Sequence, residues 1–403
     1  MRSPILWENT RRMESSHLKS DSARKTLVKA LVAVRYGVFF RRKGTTKIPT
    51  SPKRILLLNG LHVGDIVIAT SVLPVLRAAY PSAEIGFLTG SWSRMVVANH
   101  PDVRYTHCVD HWMTNRSPKS LLQKVRQYRQ MRAVALGEIR ALQYDLAISL
   151  FTNFPDFLDL SWTARIPVRI GFSRSIYSAL ATHLVHEPES LFVHQGERLG
   201  ETLRALPIDP ALFRLRHSTL PPSSEAAIQE VCSLFEVHSL DQVRYRVVHI
   251  GSGAVCRELP VTFWRELVEK LAPSCTLLFT GRGAREAENI AAVLEGQPNC
   301  VNACDRLSWD GFVAAVRHAE LLYGVESMAG HVAGAVGTPC RVVYGGTAGV
   351  ARWRPEGEGS IVMTQHVPCA PCFWGQGCAA MTCTRHFSAH DLVTLDHSSL
   401  TQD

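Results

Sequence analysis

Long apolar runs are the first thing this 403-residue sequence lacks. Near its start, KTLVKALVAVRYGVFFRRKG (Lys25 to Gly44) has uncharged runs of only five residues, Ala30–Val34 and Tyr36–Phe40. A transmembrane helix needs roughly 20. Lys29 and Arg35 also interrupt the apolar part that a cleavable signal requires. Acidic residues are scarce only at the start. Residues 1–53 hold thirteen Lys/Arg against three Asp/Glu, so with a total of +9 the remaining 350 residues carry about −1. A near-neutral body without a recognised module sets nucleic acid aside as a partner. The basic stretch 1–53 reads as an arm. Its helix pattern fits either an amphipathic helix on an anionic membrane surface or one docked on the body.

Two phosphate-binding signatures are also missing. No GxGxxG follows the first strand pattern and no GxxxxGK[ST] occurs, which excludes a standard dinucleotide fold there and a P-loop NTPase. Eleven cysteines without a secretory signal point to a reducing, cytoplasmic setting rather than a disulfide framework. Seven are scattered and read as small buried apolar residues. The other four crowd into PCAPCFWGQGCAAMTC: Cys369, Cys372, Cys378 and Cys383. Four thiols at this spacing could surround one structural zinc or iron, or form a reduced, metal-free loop.

What is present is alternation. RILLL (54–58), EIGFLT (84–89), VRYTHCVD (103–110), YDLAISLF (144–151) and VRIGF (168–172) read as strands. Helix patterns lie between them at about 66–80, 91–99 and 117–143. The expected organisation is the arm at 1–53, a doubly wound α/β domain at 54–215, a linker and connecting helix at 216–240 and a second α/β domain at 241–403. The second domain includes the Cys-rich loop 368–383. Two such domains in tandem usually close on a ligand between them.

Three stretches carry candidate chemistry. Asp65, in NGLHVGDIVIATSVLPVLRAAYP, sits where the first strand hands over to a helix. It is either a partner for the helix dipole or a general base aimed at a ligand. In the second domain, RVVHI runs into Gly251, Ser252 and Gly253 and then Arg257, which suits backbone amides and a guanidinium facing phosphate. In GVESMAGHVAGAVG, Glu326 and Ser327 lie at a strand end and His331 one turn into a helix of small residues. Gly330, Ala333 and Gly334 would let that helix approach a ligand or the sheet.

Taken together, these stretches resemble glycosyltransferase family 9, the bacterial ADP-heptose:lipopolysaccharide heptosyltransferases. The likeness runs from RILLLNGLHVGDIVIATSVLPVLRAAYP through YDLAISL, RIGF, GSGAVCRELPVTFWRELVEKL and FTGRGAREAE. It continues through ESMAGHVAGAVGTPCRVVYGG to PCAPC, in family order over about residues 54–385. The resemblance implies a GT-B fold, two facing Rossmann-like α/β domains with a cleft between them. It implies an inverting transfer with no catalytic cofactor. Asp65 fills the family's GD position, the base for the acceptor hydroxyl, with Gly64 and His62 on the same acceptor-side loop. Ser252 and Arg257, with Gly251 and Gly253, fall where the donor phosphates are held. Glu286 falls near the residue for the nucleotide ribose, Glu326 and Ser327 at the donor sugar, and His331 near the nucleotide.

Four positions depart from the family pattern, all around the donor pocket. Arg257 stands for Lys, Leu259 for Trp, Glu326 for Asp and Met328 for Gly. The implied donor is a nucleotide-sugar, ADP-heptose, and the implied acceptor a lipid-linked or lipid A-core glycan. The basic arm would then lie on the cytoplasmic face of the inner membrane. A branch of the family that heptosylates proteins carries a similar cysteine cluster that binds iron, so a protein O-heptosyltransferase is one alternative. A catalytically inactive GT-B binding protein, motivated by Glu326 and Met328, is another.

Overall fold

A computed structural model describes residues 28–394, apart from 33, 37–45, 152, 153, 189 and 191. The strands β1 (Arg54–Leu58), β2 (Glu84–Thr89), β3 (Tyr105–Cys108), β4 (Leu146–Ser149), β5 (Val168–Phe172) and β6 (His183–Val185) form a parallel sheet. Its order is β3-β2-β1-β4-β5-β6. A second parallel sheet contains β7 (Tyr245–His249), β8 (Thr276–Thr280), β9 (Cys300–Asn302), β10 (Leu322–Val325), β11 (Cys340–Tyr344) and β12 (Ile361–Thr364). Its order, β12-β11-β10-β7-β8-β9, repeats the first topology. In each sheet the strand order reverses between its first and fourth strands. There the flanking connections leave on opposite faces and open a crevice at the strands' carboxyl ends.

The central strands are continuous apolar runs because helices cover both faces. Leu56, Leu57 and Leu58 of β1 are wholly buried. The strands that sequence reading does not anticipate, β6, β9 and β12, are edge strands of only three or four residues. So short an edge carries too little alternation to be read from the chain.

The single helix expected at 66–80 is two helices, α1 (Val63–Ala69) and α2 (Leu73–Ala79), joined by a 3₁₀ turn. Pro74 at the start of α2 imposes the break, since proline belongs in a first turn. The helix therefore begins earlier than its apolar pattern, and Asp65 falls inside the first turn. The long helix α3 (Leu121–Leu142) opens with a capping box between Ser120 and Gln123.

In the expected connection lies α4 (Glu225–Phe235), whose Glu230 accepts from the amide (2.8 Å) and hydroxyl (2.7 Å) of Ser308. The second half adds α5 (Val261–Leu271), α6 (Ala284–Leu294), α7 (Trp309–Arg317) and α8 (Met328–Val336), then α9 (Ala389–Thr394). One buried apolar cluster runs from Ile55 and Leu57 of β1 through Val231 of α4 to Val247 and Val342 in the second sheet.

Of the arm, the described residues are 46–53, which lead into β1, and a short helical segment within 28–36. Val32 buries itself against Leu180 with Trp162 and Tyr177 packed around it, and Lys29 Nζ donates to the Ser173 carbonyl at 2.8 Å. This stretch is docked on the body, while residues 1–27 and 37–45 of the arm lie outside the described residues.

Candidate active site

The loop after β1 is held tightly before it reaches Asp65. The Leu61 amide bonds to the Asn59 side chain at 3.2 Å, and the Leu61 carbonyl accepts from Trp92 Nε1 (2.8 Å) and Ser93 Oγ (2.9 Å). A Cβ at Gly60 would come within 2.3 Å of the Phe157 ring, so only glycine passes there. This loop delivers the first turn of α1 to the crevice beyond the sheet. Asp65 is partly exposed there, and burial pushes its carboxyl up to about 6. The His62 amide, Arg116 and Arg257 work against that rise.

From the second half, β7 leads into Gly251–Gly253 and β10 into Glu326 and Ser327, whose hydroxyl caps α8 by accepting from the Ala329 amide at 3.3 Å. The starts of α1 and α8 nearly touch: a Cβ on Gly64 would lie 3.1 Å from His331 and 3.5 Å from the Met328 backbone. Between the halves is a cavity of about 630 Å³. His62, Gly64 and Asp65 line one side; Gly251, Ser252, Gly253 and Arg257 line the other, with Glu286, Glu326, Ser327 and His331. All eleven non-cysteine positions singled out in the sequence therefore meet at one place. A depression of similar size, about 650 Å³, lies at Gln143–Asp145 and Ile166–Pro167. Those residues precede β4 and β5, at the opposite end of the sheet from the crevice.

The polar groups are not all free for a ligand. The Ser252 amide donates to Glu258 at 2.9 Å and its hydroxyl to the Glu326 carbonyl at 2.9 Å. The glycine-bordered loop is therefore partly closed on its own neighbours. Arg257 sits 3.2 Å from Glu326. The other Glu326 oxygen and Arg257 Nε are buried without a hydrogen-bond partner. Burial drives Glu326 up to about 7 against the pull of Arg257. Glu286 packs against Gly251, where a Cβ would meet its carboxylate at 2.1 Å, and accepts from the Arg282 amide at 2.9 Å. Burial raises Glu286, with that bond opposing. Burial also lowers His62 and His331 to about 4, so both rings are neutral at pH 7.

The small residues of α8 serve packing, not ligand approach. A Cβ on Gly334 would strike the Glu356 backbone at 2.0 Å, and one on Gly330 would meet Pro355 at 2.8 Å. At the four-cysteine loop, among the described residues, no three His, Cys, Asp or Glu side chains gather as a metal site. Cys383 is buried against Gly346, Cys369 and Cys378 are exposed, and the Cys378 sulfur accepts from the Met381 amide at 3.4 Å.

Arg116 escaped sequence reading. It comes from the loop between β3 and α3, crosses to the second half and donates to the Gly253 carbonyl at 3.1 Å. A lone Arg in a turn carries no motif, although loops at the carboxyl ends of parallel strands are where ligand contacts concentrate.

Twin Rossmann-type parallel sheets with a cavity between their halves are the GT-B architecture. The chain belongs to glycosyltransferase family 9 (heptosyltransferase), whose pattern matches residues 135–380. It is 22% identical over 363 residues to lipopolysaccharide heptosyltransferase 1 of Pseudomonas aeruginosa, covering 85% of this chain and 91% of the relative. The E. coli ADP-heptose lipopolysaccharide heptosyltransferase II superposes with a TM-score of 0.65 at 19% identity, over 85% of this chain and 96% of the other. E. coli heptosyltransferase WaaC with ADP-2-deoxy-2-fluoro heptose gives a TM-score of 0.58 at 18% identity, over 78% and 93%.

Proposed function

We propose that this glycosyltransferase moves heptose, with inversion, from ADP-heptose to a lipid-linked or lipid A-core saccharide at the cytoplasmic face of the inner membrane. One observation carries the reading. Asp65 from the first half and Ser252, Arg257, Glu286, Glu326 and His331 from the second line a single cavity. The donor is the one named for the relatives, and ribose and phosphate groups have complementary side chains on the second-half wall.

In this scheme the acceptor hydroxyl gives its proton to Asp65 as its oxygen attacks the anomeric carbon. The bond from that carbon to the diphosphate breaks on the opposite face. Arg257 and Arg116 take up the charge that develops on the leaving group. Arg257 must exchange its contact with Glu326 for the phosphates. The displaced Glu326 can remain protonated in its apolar setting and offer a hydroxyl hydrogen to the sugar.

The test is Asp65→Asn, with donor binding and transfer measured separately. The variant is expected to keep its thermal stabilisation by ADP-heptose and lose transfer by roughly 10²–10⁴-fold. Full transfer by the variant would remove Asp65 as the base. Stabilisation by UDP-, GDP- or CMP-sugars but not by ADP-sugars would overturn the donor.

A further inference from the structure

From His111 to Gly137 there is no Asp or Glu, yet the stretch carries six Lys/Arg: Arg116, Lys119, Lys124, Arg126, Arg129 and Arg132. The body as a whole carries about −1, so this stretch concentrates its positive charge. Arg116 turns into the cleft and Arg132 pairs with Asp159 at 2.8 Å. Lys124, Arg126 and Arg129 make no ion pair among the described residues. The same surface exposes large apolar side chains: Met113 is 56% exposed, Leu121 60% and Leu122 83%.

Helical spacing sets Leu122, Arg126 and Arg129 on one outward stripe of α3, while Ala135 and Ile139 form its buried side. Exposed leucines clustered beside solvated cations are the composition of an interaction surface. An anionic bilayer surface satisfies both at once: the leucines enter the headgroup–acyl boundary and the cations meet phosphates. A nucleic acid would leave the leucines wet, and no exposed aromatic is present in this stretch to stack on a base.

We infer that the β3–α3 loop and the first half of α3 form a docking surface for an anionic membrane, at the rim of the cleft. The position is informative, because the same loop places Asn115, Arg116 and Ser117 on the cavity wall. A chain seated there would hold the Asp65 side of the cleft close to the bilayer. The use of such seating rests on the lipid-linked acceptor proposed above, but the binding itself does not.

The experiment is co-sedimentation of the full chain with phosphatidylcholine vesicles, with and without phosphatidylglycerol, without donor or acceptor. Two variants, Leu121→Gln/Leu122→Gln and Arg126→Glu/Arg129→Glu, test the apolar and ionic parts separately. Both change only exposed side chains, and unchanged circular dichroism and melting verify the fold. Wild type is expected to sediment with the anionic vesicles only. Each variant should bind them roughly tenfold more weakly or worse, the scale of two interfacial cations or of a buried leucine pair. A chain lacking residues 1–27 should bind as the full chain does.

Equal binding by wild type and both variants overturns the inference, as does abolition by the 1–27 deletion alone. So does binding to nucleic acid or to self-associated chains in place of vesicles. Vesicle binding without any turnover of ADP-heptose would sink the proposed reaction and leave this surface standing.

Discussion

A carboxylate that titrates near 6 can be a base at neutral pH and lose that capacity under mild acid. Asp65 owes its position to burial at the cleft, moderated by the His62 amide and by Arg116 and Arg257. It accepts a proton only when ionised, so kcat/KM should fall as the pH drops through about 6. Arg116 holds Asp65 down, so Arg116→Ala should move this acid limb upward and also raise the donor KM. A purely structural arginine would leave the limb in place, and a pH–rate profile distinguishes the two.

Glu326 presents the opposite problem, a buried acid whose folded value of about 7 lies above its ordinary 4.5. Such a group lends full stability below about 4.5 and loses it as the pH rises through 7. Removing its partner with Arg257→Ala should steepen that loss, costing about 2–4 kcal/mol above pH 7 and much less below it. Urea unfolding on both sides of neutrality checks this. The residue types at this site were legible in the sequence, since Asp65, Ser252, Arg257 and His331 all stand at strand-to-helix junctions. The Arg257–Glu326 contact was not, because the two are 69 positions apart and meet only when β7 and β10 become neighbours.

Among the elements, α8 shows how one composition can serve two purposes. Its glycines and alanines look suited to a ligand, yet Gly334 is spent on the Glu356 backbone. Gly334→Ala places a methyl group where no flexible side chain can yield, and should lower stability by about 1–3 kcal/mol. If α8 instead turned that face to a ligand, melting would be unaffected and donor binding would suffer. Strand identity in the centre of each sheet was legible because two covered faces demand unbroken apolar runs. Three of the four edges, β6, β9 and β12, were not, since an edge strand is defined by its neighbour more than by its own residues. The α1–α2 break was written in Pro74, but the unbroken apolar spacing on either side of it hid the signal.

For the molecule as a whole, a polar seam joins the two halves. Glu356 accepts from Arg216 at 3.1 Å and from Ser218 at 3.2 Å, and lies 3.1 Å from His194. Burial alone would raise its carboxyl, but His194 and Arg216 outweigh that and hold it near 2. A value below the ordinary 4.5 contributes stability that is present above 4.5 and lost as the pH falls toward 2. Glu356→Gln should therefore cost about 2 kcal/mol at neutral pH, and its deficit relative to wild type should shrink through that acid window. Thermal melts across pH provide the measurement.

By itself, the sequence determined the succession of the central strands, the near-neutral body behind a basic arm and the residues at the ends of β1, β7 and β10. These follow from local pattern and composition, which chain order preserves. Only the tertiary structure decided that Asp65 faces Arg257 across a cavity and that Arg116 bridges to Gly253. Those outcomes depend on distances between residues far apart in the chain. Packing of two separate sheets sets such distances, and no local pattern encodes them.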